Sequence, residues 1–98
     1  MYINAIIKDK VNNREFTVKV KRECDIIVPN GKIEQMRYIL STASLLFDFG
    51  RKIKPYANQN HAIVEIKTDN PIIAEKLREN GQKVIFEPIL EENVNVEA

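Results

Sequence analysis

Cys24 and His61 are the two side chains here with the intrinsic reactivity of a nucleophile and a neutral-pH base, and each type occurs once. A working pair needs the two in hydrogen-bond reach, with a third group orienting the base. His61 stands at the start of an apolar run (His61–Lys67), with no Cys or Asp motif beside it. Cys24 follows Lys21 and Arg22, whose charge favours a thiolate, but no base is placed next to it. One Cys and one His also fall short of the four ligands of a structural zinc site. Gly31, Gly50 and Gly81 lie too far apart to form a phosphate-cradling loop. A helix starting after Asn70 could hold an anion on its free amides, yet Asp69 already supplies negative charge there. No carboxylate pair is set by spacing. The expectation is a non-enzymatic chain with no catalytic residue, cofactor, metal or evident small-molecule substrate.

The binding chemistry is richer. Lys8, Lys19, Lys21 and Arg22 fall on two neighbouring apolar-alternating segments, and Arg51, Lys52 and Lys54 cluster further on. Such a basic track is the minimum that phosphate neutralisation requires. Against a nucleic-acid site stand Glu65 on the same expected face and the lack of aromatic pairs on which single-stranded bases stack. No helix-turn-helix or zinc motif is present.

The second binding candidate is the stretch Lys32 to Tyr56, whose apolar positions cover too much of a helix. At 100° per residue, Met36, Ile39, Leu40, Ala43, Leu46, Phe47 and Ile53 form one broad stripe suited to packing on a sheet. Tyr38, Leu45, Phe49 and Tyr56 form a second, roughly 130° away. Glu34, Arg37, Ser41, Ser44, Asp48 and Arg51 make the polar side. The expectation places the first stripe on the core. It offers Tyr38, Leu45, Phe49 and Tyr56 to a protein partner or to a second copy of the chain, since exposed aromatic patches typify interface centres. The alternative is that residues 23–30, or Ile89 and Leu90, cover the second stripe.

The elements that must position these residues follow from periodicity and turn chemistry. Met1 to Lys21 reads as a hairpin with Ile3, Ala5 and Ile7 on the same face as Phe16, Val18 and Val20. A two-residue turn at Asn12-Asn13 would pair Ile7 with Val18 and Ala5 with Val20. Asp25 to Val28 could add a short edge strand, and Pro29-Asn30-Gly31 releases the chain into the long helix, which Pro55 ends. His61 to Lys67 reads as a strand with Ala62, Val64 and Ile66 on one face. Asn70 as N-cap and Pro71 at the first position start a second helix, which runs to Asn80 and stops at Gly81. Lys83 to Glu87 closes the sheet. The predicted fold is α+β: a two-layer sandwich of a four-stranded mixed sheet with two helices on one face, in the order ββαβαβ.

Ninety-eight residues, 44% apolar and 30% charged, suit one globular domain with little core to spare. The expected domain is 1–88, with 89–98 a flexible acidic tail. Residues 1–86 carry all fifteen Lys and Arg against ten acids, a balance of +5, whereas 87–98 carry four acids and no base, −4. No run is apolar enough to span a bilayer, and the N-terminal residues do not read as a signal peptide. The lone cysteine fits a reducing compartment, so cytoplasmic residence is expected. Taken together, the residues point to a small protein-interaction module. A phage or plasmid accessory protein that inhibits a larger host protein or nucleoprotein complex would have this size and this lack of chemistry. A basic nucleic-acid-binding protein that uses the hairpin face is the alternative.

Overall fold

The computed structural model describes residues 1–24 and 30–88. Four strands and two helices follow one another as β1 (Tyr2–Asp9), β2 (Arg14–Lys21), α1 (Lys32–Ile53), β3 (His61–Thr68), α2 (Pro71–Glu79) and β4 (Val84–Phe86). A single 3-10 turn, Lys54–Tyr56, carries Pro55 and finishes α1. The sheet order is β2-β1-β3-β4, with β1 antiparallel to both neighbours and β4 parallel to β3. This is the expected α+β sandwich. The possible strand at 25–28 and the tail 89–98 lie outside the described residues.

The hairpin keeps its expected faces but shifts its register by two residues. Ile7 pairs with Phe16, Ala5 with Val18 and Ile3 with Val20. The cause is Asp9, whose Oδ1 accepts from the amides of Val11 and Asn12 while Oδ2 accepts from Asn12 Nδ2 at 2.8 Å. These bonds close a four-residue loop, Lys10 to Asn13, instead of a two-residue turn. Asn13 adopts φ 55° to complete it, a conformation Asn tolerates better than most residues. An even shift returns every side chain to its original face. Ile3, Ala5, Ile7, Val18 and Val20 are therefore buried in one core.

β3 departs from simple alternation. Ile6 opposes Glu65 but Ile7 opposes Ile63, so Val64 is an extra residue on β3. This bulge turns Ile63 toward the core with Ile66 and leaves Val64 more exposed than a core residue. The expected face of Ala62, Val64 and Ile66 is thus broken by one inserted residue.

α2 forms as its start signal predicts. Asn70 Oδ1 accepts from the amides of Ile72 (2.9 Å) and Ile73 (3.0 Å), Pro71 needs no partner at the first position, and Gly81 takes φ 86° beyond the end. Ile73, Ala74 and Leu77 join the core. α1 packs on β1 and β2, and α2 packs on β3 and β4, so the helices lie side by side on one face of the sheet.

Candidate interaction surface

The two apolar stripes of α1 exchange the roles read from the sequence. Leu45 (0% exposed) and Phe49 (2%) are buried in the core, and Tyr56 packs against it. Tyr38 is half-buried, and burial, with the negative charge of Asp69 nearby, holds its phenol above the ordinary tyrosine range. Tyr38, Leu45, Phe49 and Tyr56 therefore do not form a free surface. From the other stripe only Leu46 and Ile53 reach the core edge. Met36 (60%), Ile39 (60%), Leu40 (65%) and Phe47 (67%) face outward with Ala43, and Ile33 (75%) extends their line.

Polar groups on the flank of α1 accompany this rotation. Arg22, just beyond β2, forms an ion pair with Asp48, and its Nε donates to Ser44 Oγ at 3.1 Å. Lys52 Nζ donates to the backbone oxygen of Lys19 at 3.1 Å. All three helix residues lie on one side of α1, and their ties to the β2 edge fit the orientation in which Leu45 and Phe49 face the core. Thr42 also falls on the inward side, and its hydroxyl is satisfied there by Asn70.

The outward residues Ile33, Met36, Leu40, Ala43 and Phe47 recur at alternating spacings of three and four, the spacing of a helix seam. Beside them runs an apolar groove of about 320 Å³ between the helices, lined by Ile39, Thr42, Ala43, Leu46, Ile72 and Ile73, with Lys76 at its margin. Ile72 of α2 is itself nearly half exposed. Large contiguous apolar patches on a monomer are often contact sites, and Ile33, Met36, Ile39, Leu40 and Phe47, each more than half exposed, share this side of α1.

The basic residues divide. Lys19, Lys21, Arg22, Arg51 and Lys52 line one open groove between the β2 edge and α1, with Asp48 among them. Lys8 stands away from it, opposite Glu15 on the hairpin, and Lys54 lies in the 3-10 turn. Two of the five groove cations already have protein partners, Arg22 with Asp48 and Ser44, and Lys52 with Lys19. Arg51 lies 5.9 Å from the ring centre of Phe47, which links this groove to the apolar stripe.

The residues with intrinsic reactivity, His61 and Cys24, both sit against packed neighbours. His61 Nδ1 lies 2.9 Å from Asn58 Oδ1, and its ring packs edge-on against Tyr56 and Phe16. Cys24 is buried. No group of three or more His, Cys, Asp or Glu able to hold a metal occurs among the described residues, and no helix of theirs is long and apolar enough to cross a membrane. No protein-family model, curated protein or solved structure matches the chain.

Proposed function

We propose that this chain is a non-enzymatic protein-interaction module that acts by covering part of a larger macromolecule, and that its contact surface is the outer face of α1 with Ile72 of α2. The observation that supports this most is the stripe Ile33, Met36, Ile39, Leu40 and Phe47, exposed on a helix whose opposite side already supplies the core. Leaving such side chains in water forgoes about 1.5–3 kcal/mol each, and a partner that buries them recovers it. Leu40, at the middle of the stripe, and Phe47, its largest side chain, are the expected anchors. The test is affinity capture from native lysate with wild type, Leu40→Glu and Phe47→Glu, after nuclease treatment. The reading expects a stoichiometric protein with wild type that both variants lose while keeping the wild-type melting temperature. Equal capture by all three contradicts it.

The basic groove supports a second reading, nucleic-acid binding, because five of the seven predicted cations meet there. Its expected sign is gel retardation that falls steeply with salt and disappears in Lys19→Glu with Lys21→Glu.

A further inference from the structure

The flanks of the exposed seam are of one charge. With Ile33, Leu40 and Phe47 at one core position of a heptad and Met36 and Ala43 at the other, one flank carries Arg37, Ser44 and Arg51. The other begins with Lys32, continues through Ile39 and Leu46, and is bordered across the groove by Lys76 of α2. Lys32, Arg37, Arg51 and Lys76 are all exposed and no acid stands among these flank positions. Flanking charges choose the partner of a helix seam.

A second copy of the chain is a poor fit to that pattern. Laid antiparallel, the two Arg37–Ser44–Arg51 flanks meet each other. Laid parallel, Lys32 of one copy meets Arg37 of the other. Both arrangements juxtapose like charges, which an interface is built to avoid. Ala43 and Gly50 lie one heptad apart on the seam, and a Cβ added at Gly50 would meet nothing within 4 Å. Small residues there leave room for another helix to approach closely.

Resting on the interaction reading above, we infer that the occupant of this face is an amphipathic helix of a different protein, with apolar residues at heptad spacing and Asp or Glu on both flanks. It lies along α1 over Met36, Leu40, Ala43 and Phe47, with its acids against Arg37 and Arg51 on one side and Lys32 and Lys76 on the other. This is helix-in-groove recognition, in which the charges select among partners and the apolar seam supplies affinity.

Two synthetic four-heptad peptides test this, with the same leucine seam but Glu at every flanking position in one and Lys in the other. Fluorescence anisotropy is expected to show the Glu-flanked peptide binding at least tenfold more tightly at low salt, with the ratio shrinking as salt screens the flanks. Arg37→Glu with Arg51→Glu leaves Lys32 and Lys76 opposed by two acids and is expected to abolish the preference, and since both sites are exposed the fold is retained. Equal binding of both peptides, lost in Met36→Glu with Phe47→Glu, overturns the acidic partner while the apolar contact surface stands. Binding of neither peptide at millimolar concentration also overturns it, and the capture experiment then decides the interaction reading separately. A wild-type dimer in light scattering that these two seam substitutions make monomeric overturns it in favour of a second copy.

Discussion

Asn70 joins the two helices through Thr42: its Nδ2 donates to Thr42 Oγ1 at 2.9 Å, with both residues buried. The same Asn70 side chain caps α2 through its oxygen, and the backbone N–H of Asn70 donates to Thr68 Oγ1 at 3.1 Å. Thr68 in turn donates to the backbone oxygen of Tyr2 at 2.7 Å. One polar chain thus runs from β1 through the end of β3 into α2 and across to α1. Thr42 also lines the apolar groove, so this chain sets the separation of its walls.

Thr42→Val keeps the volume of Thr42 but leaves Asn70 Nδ2 without its oxygen partner, at an expected cost of about 1–3 kcal/mol. Asn70→Ala strands the Thr42 hydroxyl and also removes the cap, itself worth about 1 kcal/mol. It should therefore be the more destabilising of the two in urea unfolding. Equal or negligible losses would show that the chain does not hold the helices.

Leu45→Ala should cost about 2–5 kcal/mol, because the site is fully buried, and Leu45→Glu should prevent folding. Leu40→Glu, five residues earlier, should change stability by no more than about 0.5 kcal/mol. Circular dichroism melts of the two glutamate variants check the assignment of the helix faces directly.

Gly50 sits within α1 with open space around it. Gly50→Ala should stabilise the isolated chain by about 1 kcal/mol, or about 4–8 °C in Tm for a domain of this size. Such a gain would mean that glycine at this position serves something other than the fold of the chain itself.

Asp9 is held below the ordinary carboxylate range, first by its bond from the Asn12 side chain and then by backbone amides of the loop. A depressed folded pKa stabilises the fold at pH values above the unfolded pKa, near 3.8. That contribution is lost as pH falls through the lowered folded value. Asp9→Asn should remove this acid-limb dependence, and an NMR titration of the Asp9 carboxyl should show the lowered midpoint.

The hairpin faces, the start of α2 and the element order were legible because each rests on short-range chemistry: alternation, an Asn-Pro start and a glycine stop. The register was not, because Asp9 closes a loop that the Asn12-Asn13 pair alone does not reveal. The inward side of α1 was not legible for a similar reason. Its apolar positions cover about two-thirds of the circumference, and the inward arc contains Thr42, which reads as a polar interruption. Only its bond to Asn70, 28 residues later, makes that position fit a core. The pairing of Arg22 with Asp48 and Ser44 is likewise long-range. Five of the seven predicted cations do converge, but the seam now assigned to a partner is the one the pattern had placed on the sheet.

Site-specific photo-cross-linking tests the central claim most directly. A benzophenone side chain placed at position 40 or 47, on the exposed seam, or at position 19 or 21, beside the basic groove, is irradiated in nuclease-treated native lysate. Positions 40 and 47 should give one common protein adduct, and positions 19 and 21 should give none. Adducts from 19 and 21 with none from 40 and 47 would contradict the assignment of the α1 outer face as the contact surface.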